Sequence, residues 1–175
     1  MDPAAPDAPG VAGRMLLHGG AEGGMVAGIG QQSRAQSLLP VQKTREILHG
    51  AFIGQEGIWA VTLKDTQQLI ASIGIVPDPK RENPQVRMLG YWLDEAQWGK
   101  GYMTEAVKAV LNYGFGTLKL SLITANCYPH NERSQQVLKR QGFVHEGTLH
   151  QAEVTYDGHV YDHQCYYLTN PEHQK

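Results

Sequence analysis

The sequence predicts one α/β domain, of the α+β kind, built around a single mixed sheet. Apolar and polar residues alternate over 59–63 and again over 69–75, which indicates two strands of a hairpin with its turn at 64–66. Apolar residues spaced three and four apart over 103–115 indicate an amphipathic helix. With the further segments of the chain, the predicted order is β-β-β-α-β-α-β-β.

The remaining segments complete that order. Residues 86–93 are apolar on both faces, as expected of a central strand, and 120–128 form a second buried strand. A helix that His130 or Asn131 caps runs to residue 140, and Gly142 ends it. Two last strands, 143–156 and 159–168, are joined by Asp157-Gly158, which is a strong hairpin signal.

Composition narrows the class of protein. A chain of 175 residues suits one domain with one core, and its net charge of -2 gives no basic field for nucleic acid or an anionic membrane. No apolar run approaches the ~20 residues of a spanning helix. The first residues lack a signal-peptide pattern, so we expect a cytoplasmic protein. Cys127 and Cys165 lack metal-type spacing and are predicted to be buried, reduced thiols.

The composition shifts near the beginning of the chain. The first 40 residues contain eight glycines and no Phe, Tyr, Trp or Lys. Residues 1–31 therefore form an atypical Gly/Ala/Pro-rich segment, and 32–175 form the predicted globular domain. Over 1–30 we expect a loose arm or a poor edge strand, because glycines interrupt the apolar stretch 15–17. A helical pattern begins near Gln32 and strengthens over 41–52.

Residues 97–106, QWGKGYMTEA, connect strand 86–93 to the amphipathic helix. Main-chain N–H groups at a helix N-terminus bind anions. Gly99 and Gly101 permit close approach of a ligand to the main chain, and Lys100 adds a positive charge. The spacing fits neither a Walker loop nor a dinucleotide fingerprint, which would need glycine at Thr104. This pattern alone supports a phosphate site and a tight connection without a ligand equally.

Two stretches, GYWLDEAQWGKGYMTEA and ITANCYPHNERSQQVLKRQGFVHEG, resemble the core of the GNAT acetyltransferase superfamily. The sequence is most similar to the branch that acetylates N-termini of ribosomal proteins, from about Val41 to the C-terminus. The resemblance implies a mixed, mostly antiparallel sheet with flanking helices, in which strands 86–93 and 120–128 splay apart and admit acetyl-CoA. It makes 32–175 an acetyltransferase domain. Residues 1–31 do not resemble the strand and two helices that normally open the family and wall the acceptor site.

The resemblance also assigns residues to acetyl-CoA. The loop corresponds to the family's phosphate-binding pattern, with Trp98 and Met103 where the general pattern has a polar and a small residue. Strand 86–93 supplies main chain for the pantetheine arm, and an Asn-x-x-Ser motif lies beside the thioester. The implied set is Trp92, Leu93, Trp98, Gly99, Lys100, Gly101, Tyr102, Met103, Thr104, Asn126, Asn131 and Ser134.

Two residues are implied to be catalytic. Many relatives carry a tyrosine acid at the position of Leu138, but the ribosomal branch uses a serine near the sulfur, here Ser134. Glu153 corresponds to the proposed base of that branch. Each has a simpler alternative, since Ser134 can satisfy helix N–H groups and Glu153 can face solvent. Tyr128 is a substitute acid or, as we favour, a loop aromatic.

These residue types suit acetyl transfer to an amine. At pH 7 an α-amine of pKa about 8 is roughly one tenth neutral, whereas a lysine of pKa about 10.4 is neutral in well under a thousandth of molecules. An N-terminal acceptor is therefore favoured, with Glu153 accepting its proton directly or through water. Ser134 can hydrogen-bond the departing thiolate, and a main-chain N–H between the splayed strands can polarise the carbonyl.

A metal site is not predicted, although five histidines lie between residues 145 and 173. His159 and His163 are four residues apart and would chelate an ion on a helix. On the predicted strand they lie ~13 Å apart, at ~3.3 Å per residue, which is too far to share one ion.

Three functions remain open. The first is acetyl-CoA-dependent N-acetylation of a protein or peptide N-terminus, by a monomer or a homodimer. The second is acetylation of a polyamine or an aminoglycoside, which needs an acidic pocket; the candidate carboxylates are Asp94, Glu95, Glu146, Glu153, Asp157 and Asp162. The third is a catalytically silent acyl-CoA-binding protein that acts through partners.

Overall fold

The structure, a computed structural model, describes residues 15–19, 57–155 and 158–173. These residues form a seven-stranded sheet in the order β1-β2-β3-β4-β5-β7-β6, with two α-helices. The strands are β1 Met15–Gly19, β2 Ile58–Leu63, β3 Leu69–Pro77, β4 Val86–Leu93, β5 Leu122–Cys127, β6 Val144–Val154 and β7 Val160–Thr169, and the helices are α1 Tyr102–Asn112 and α2 Glu132–Arg140. The predicted fold class, one α/β domain around a mixed sheet, is confirmed.

The predicted hairpin is formed by β2 and β3, which pair antiparallel. Its turn is closed by Gln67, whose φ is 56° and whose N–H donates to the oxygen of Leu63 over 2.8 Å. Residues 70–76 of β3 are buried on both faces. The alternation in the sequence therefore predicted the strand, and the structure adds that its second face, with Ile70 and Ser72, is covered as well.

The centre of the sheet is β4, which pairs antiparallel with β3 and parallel with β5. The crossover through α1 makes the second pairing parallel. It runs from Val86 opposite Leu122 to Leu89 opposite Ala125, and it stops there although both strands continue. The two central strands separate from that point, as predicted, and we call the space between them the gap.

Helix α1 begins after Gly101, whose φ is 83°. The amphipathic pattern predicted helix as far as residue 115, but residues 113–117 form a π-helical turn instead. This turn packs tightly on the sheet, because a Cβ atom at Gly114 would lie 2.8 Å from Cδ1 of Ile123. The apolar face of α1 lies in the main core; its buried members include Met103, Ala106, Val107 and Val110.

Helix α2 has a side-chain cap at its N-terminus. The side-chain oxygen of Asn131 accepts a hydrogen bond from the N–H of Ser134 over 3.1 Å, so Asn131 rather than His130 is the cap. At the other end, Gly142 takes a φ of 86°, as predicted for a helix stop. The helix is anchored by Leu138, which is 1% exposed. The first turn, which carries Ser134, is thus held in a defined position.

Strand β1 lies inside the atypical segment 1–31. It pairs antiparallel with β2, with Met15 opposite Leu63, and forms the outer strand of the sheet. Of the two expectations for this stretch, an edge strand therefore applies to residues 15–19. The helical pattern over 32–52 and Asp157 of the last turn lie outside the described residues, and the domain boundary at 31/32 stays a prediction.

Both cysteines are free thiols. Cys127 is 1% exposed, as predicted, but Cys165 is only half-buried, so the prediction that both are buried was wrong. The reason lies in the register, because Cys165 is opposite Gly147, which has no side chain to cover it. Among the helices in the described part of the chain, none is both long and apolar enough to cross a membrane.

Candidate functional site

The gap is lined on one side by main-chain groups of β4. The N–H of Asp94 bonds the oxygen of Ile70 in β3 over 2.9 Å. Successive residues of a strand direct their main-chain N–H and C=O groups to opposite edges, so the main-chain groups of Trp92 also face β3. The main-chain groups of Leu93 and Tyr91 face the gap. This orientation fits the predicted role of the Leu93 main chain, whereas Trp92 could contribute to a ligand only through its side chain.

The loop after β4 is folded against that strand. It begins with the 3-10 turn Glu95–Gln97. The indole Nε1–H of Trp98 then donates to the main-chain oxygen of Leu93 over 3.0 Å. On the ring of Trp98, the guanidinium carbon of Arg133 lies 4.4 Å from the ring centre. The loop is therefore held both by the strand on one side of the gap and by helix α2.

The glycines of the loop have left-handed backbones, with φ of 76° at Gly99 and 83° at Gly101, which favours glycine at both positions. A Cβ atom at either would meet no atom of the described residues within 4 Å. The first N–H groups of an α-helix point outward from its N-terminus, and α1 begins directly afterwards at Tyr102. With the exposed Lys100 nearby, this surface suits an anion of the size of pyrophosphate.

The other members of the implied cofactor set have more restricted surroundings. The side chains of Tyr102 and Met103 are buried in the core, so only their main chain can meet a ligand. The oxygen of Thr104 accepts a hydrogen bond from Gln141 over 3.3 Å. On β5, Asn126 is half-buried and its amide nitrogen lies 3.5 Å from a methionine sulfur of β4. Their contacts with acetyl-CoA stay predictions.

At the start of the gap, Ser134 contacts Tyr91 of β4. The Tyr91 hydroxyl lies 2.8 Å from Oγ of Ser134 and 3.3 Å from its main-chain oxygen. Burial raises the pKa of Tyr91. Burial also raises the pKa of the Cys127 thiol to about 11, although a hydrogen bond with Ser134 acts in the opposite direction. The serine hydroxyl therefore lies between two neighbours that are protonated at neutral pH.

An irregularity in β6 sets the position of Glu153. Between two paired positions, a step of four residues along β6 matches a step of two along β7. In this bulge, Gln151 has a φ of 49° and its N–H donates to Asp162 over 2.8 Å. Bulges re-aim the side chains of the strand that carries them. Here the bulge brings Glu153 beside His163, which no spacing in the sequence predicts.

Oε2 of Glu153 lies 3.0 Å from Nε2 of His163, and the two side chains are 24% and 13% exposed. The carboxylate is therefore partly enclosed rather than fully solvent-facing. Nδ1 of His163 is buried and has no hydrogen-bond partner among the described residues. A proton on Nδ1 would be a buried donor without an acceptor, which costs more than an unused lone pair. The favoured neutral tautomer therefore donates its Nε2–H to Glu153.

An aromatic cluster links this carboxylate with helix α2. Tyr128 lies in the loop after β5, as favoured from the sequence, and is buried. Its ring centre is 4.7 Å from that of Tyr161 and 5.8 Å from that of His163. Its main-chain oxygen accepts the N–H of Asn131 over 3.0 Å. The segment from Tyr128 to the helix cap therefore connects the surroundings of Glu153 with the first turn of α2.

The carboxylates that a polycation pocket would need are engaged in separate places. Glu146 pairs with Arg81, and Asp162 pairs with a histidine of β6 over 2.8 Å. Asp94 accepts a main-chain N–H within its own turn over 3.2 Å. Asp157 lies outside the described residues. Within the described ranges, no group of three or more His, Cys, Asp or Glu side chains is arranged to hold a metal ion.

Residues 29–144, more than half of the chain, match the family model described as the acetyltransferase (GNAT) domain. The chain therefore belongs to the GNAT acetyltransferase family. Over 91 residues it is 42% identical to the Bacillus subtilis (strain 168) protein named "Probable N-acetyltransferase YjcK", a match that covers 52% of this chain. The chain spans about half the length of the curated relatives it matches, 50% for YjcK.

Solved structures agree with this membership. The ribosomal-protein-S5-alanine acetyltransferase from Vibrio fischeri has a TM-score of 0.62 at 26% identity, covering 77% of this chain and 70% of its own. RimJ from Mycobacterium smegmatis, solved in complex with CoA-disulfide, has a TM-score of 0.58 at 25% identity, covering 75% of this chain and 59% of its own. The predicted resemblance, to the superfamily and to its ribosomal-protein acetyltransferases, is confirmed.

The family uses acetyl-CoA, and the residues of the site fit it. The glycine loop is open to phosphates, and the main chain of Leu93 faces a gap between the strands, where an amide-containing arm can pair with it. Three residues of this site were missed in the sequence: Tyr91, Arg133 and His163. Their contacts join segments that are distant in the chain, so no local pattern indicates them.

Proposed function

We propose that this protein is an N-acetyltransferase that transfers the acetyl group of acetyl-CoA to the α-amino group of a protein or peptide N-terminus, of the ribosomal-protein kind. One arrangement carries the proposal: an open glycine loop lies at one end of the gap, and the Ser134 hydroxyl lies where β4 leaves β5. The solved relative from Vibrio fischeri, which is named as a ribosomal-protein acetyltransferase, supports the choice of acceptor.

The loop and β4 are assigned to the coenzyme. Main-chain N–H groups at Gly99, Gly101 and the start of α1 donate to the anionic phosphates, and Lys100 adds a positive charge. Because the oxygen of Leu93 already accepts from the indole of Trp98, its N–H is the group offered to the pantetheine arm. When bound, acetyl-CoA supplies an acetyl group activated as a thioester.

Glu153 is assigned as the proton acceptor. As the amine nitrogen bonds to the carbonyl carbon and the C–S bond breaks, the sulfur keeps the electron pair of that bond. The proton lost by nitrogen passes to the Glu153 carboxylate, directly or through water, and then to solvent. The Nε2–H of His163 holds the carboxylate in place. Ser134 donates a hydrogen bond to the departing sulfur, which later takes a proton from solvent.

The choice of an N-terminal acceptor has a chemical and a structural basis. An α-amine is neutral far more often than a lysine side chain at pH 7, so one carboxylate base suffices. A polyamine or an aminoglycoside needs several carboxylates on one surface. Those that the sequence offered, such as Glu146 and Asp162, are bonded to different side chains, an arginine and a histidine, within the described residues.

The test begins with calorimetric titration of acetyl-CoA and CoA into the purified chain. Turnover is then measured on peptides with N-terminal alanine or serine, on the same peptides with a blocked N-terminus and one lysine, and on spermidine. We expect micromolar binding and acetylation of the open N-termini, located by mass spectrometry. Acetylation of spermidine alone would favour a small-amine enzyme. Binding without turnover on any amine would favour the catalytically silent protein.

A further inference from the structure

Tyr91 has a contact that the scheme above does not use. It lies on β4 two residues beyond the last one paired with β5, and its ring is buried in the main core. Its hydroxyl reaches helix α2, 2.8 Å from Oγ of Ser134 and 3.3 Å from the main-chain oxygen of the same residue. A tyrosine of the cofactor strand therefore bonds to the serine assigned to the departing sulfur.

The direction of that hydrogen bond decides what Ser134 can do. A serine hydroxyl has one proton to donate and two lone pairs that accept. If Ser134 donates to Tyr91, its proton is used inside the protein. If Tyr91 donates to Ser134, the serine proton stays available for a ligand.

One observation favours donation by Tyr91. The contact of its hydroxyl with Oγ is 0.5 Å shorter than its contact with the main-chain oxygen, the other acceptor within reach (2.8 Å against 3.3 Å). The serine proton then points away from Tyr91. Ser134 is only half-buried, so its hydroxyl is not enclosed in the core.

We propose that Tyr91 is a positioning residue, whose hydroxyl donates to Oγ of Ser134 and thereby directs the serine proton at the sulfur of the bound coenzyme. The inference rests on the proposed function, because it takes the gap as the place of the thioester. A hydrogen bond from serine stabilises the sulfur most when the C–S electron pair has moved onto it. Tyr91 therefore acts on the departing thiolate only through Ser134.

The test uses CoA itself, so it needs no acceptor. The thiol pKa of protein-bound CoA is measured from the ultraviolet absorbance of the thiolate, for the unchanged protein, Tyr91→Phe, Ser134→Ala and the double variant. A hydrogen bond to a charged group contributes about 1.5–3 kcal/mol, or roughly one to two pKa units. We expect both single variants to raise the pKa of bound CoA by about that amount, and the double variant to raise it no further.

Two results would overturn the inference. In the first, Ser134→Ala raises the pKa of bound CoA while Tyr91→Phe leaves it unchanged, which means that the serine needs no orientation. In the second, the two effects add in the double variant, which means that Tyr91 acts on the sulfur by another route. If the expected changes in the pKa of bound CoA are found but no amine is acetylated, the proposed acetyl transfer is contradicted and the role of Tyr91 is supported. If the protein does not bind CoA, both the proposed function and the role of Tyr91 are contradicted.

A variant at position 91 that keeps a hydroxyl guards against loss of folding in Tyr91→Phe. Incorporation of 3,5-difluorotyrosine at this position retains the ring and lowers the pKa of its phenol. Once that phenol ionises it can accept but no longer donate. We expect the CoA-bound thiolate to lose its stabilisation above that pH, because an ionised Tyr91 accepts the serine proton. A thiolate that titrates in the same way whether or not Tyr91 is ionised would contradict donation by Tyr91.

Discussion

The indole N–H of Trp98 donates to the main-chain oxygen of Leu93 over 3.0 Å. This bond joins the glycine loop to the end of β4, so the side chain of Trp98 helps to hold the loop over the gap. It also explains why tryptophan fits a position where the general family pattern has a polar residue, since the indole supplies a polar hydrogen. The other contact of the ring, with Arg133 at 4.4 Å, connects the loop to α2.

Replacement of Trp98 by phenylalanine tests this bond. Trp98→Phe keeps an aromatic ring for Arg133 but removes the N–H. One lost hydrogen bond contributes about 1 kcal/mol, so we expect the Kd for acetyl-CoA to rise about fivefold. Calorimetric titration measures the change, and a thermal melt checks that the fold is retained. An unchanged Kd would mean that the loop keeps its position without the bond.

Two substitutions of Gly101 that differ in charge but not in size test whether the glycine loop binds phosphates. Both Gly101→Asn and Gly101→Asp introduce a side chain of the same shape at a left-handed φ of 83°, which both residues tolerate better than most. If phosphates bind here, Gly101→Asp weakens acetyl-CoA binding at least about tenfold more than Gly101→Asn, because only aspartate repels them. Gly116→Asp is the matched control, since an added Cβ there also meets no atom of the described residues within 4 Å. Equal losses for Asn and Asp at position 101 would argue against a phosphate site.

Glu153→Gln tests the proton acceptor while keeping the contact with His163. The glutamine oxygen can still accept the Nε2–H that now bonds Glu153, so the geometry is retained and only the basicity is lost. We expect kcat/KM for a peptide N-terminus to fall about a hundredfold. The remaining activity should rise with pH up to about 8, as the amine loses its proton in solution. Glu172→Gln is the control, and a Glu153→Gln enzyme with more than half of the normal activity would contradict the assignment.

Asp78 stabilises the region where β3, β4 and β5 meet. Burial raises the pKa of this carboxyl, but bonds from the Lys80 N–H, the Thr124 hydroxyl and Arg81 outweigh it, and the pKa lies below its ordinary value of 3.8. The ionised form is therefore favoured by folding, and its contribution is present above pH ~4 and lost as the pH falls further.

We expect Asp78→Asn to lower the free energy of unfolding at pH 7 by about 1.5–3 kcal/mol, the range for hydrogen bonds to a charged group. The deficit should shrink as the pH falls below 4. Urea unfolding between pH 3 and 7 measures both effects, with Asp65→Asn in the exposed β2–β3 turn as the control. A deficit that stays constant with pH would mean that the charge of Asp78 contributes nothing.

The thiol of Cys127 makes the stability of the protein depend on pH in the alkaline range. Burial raises the pKa of its thiol from 9.0 to about 11, so the folded state holds the proton more tightly than the unfolded state. The resulting stability is fully present below pH 9 and is lost as the pH rises toward 11. Two pKa units correspond to at most about 3 kcal/mol. We expect the stability difference between the unchanged protein and Cys127→Ala to narrow between pH 8 and 10.5 in urea unfolding, and a constant difference would contradict the shift.

Local patterns predicted most of the fold because each depends on nearby residues. The strand Val86–Leu93 was predicted with its observed bounds, since apolar residues on both faces mark a strand with neighbours on both sides. Gly142 was predicted as the helix stop because a left-handed φ is a local requirement. The π-helical turn at 113–117 was not predicted, because it depends on how closely Gly114 packs against the sheet.

Some features of the candidate site could likewise be predicted from local sequence, and others could not. The glycine loop is continuous in sequence and follows a strand, so its residues and their spacing could be predicted from the sequence. The bulge in β6 could not, because Gln151 takes its left-handed backbone only where Asp162 of the neighbouring strand accepts its N–H. The position of Glu153 beside His163 depends on that bulge.

The sequence by itself determined the order of strands and helices from residue 58 onward, the glycine loop, the family, and a cap at residue 130 or 131 for α2. Each of these depends on residues within one turn, one strand or one continuous motif. Only the tertiary structure decided that Tyr91 meets Ser134 and that Trp98 closes on Leu93. Side-chain contacts between elements depend on how strands pair and helices pack, and hydrophobic patterning constrains those arrangements without fixing which polar groups come within hydrogen-bonding distance.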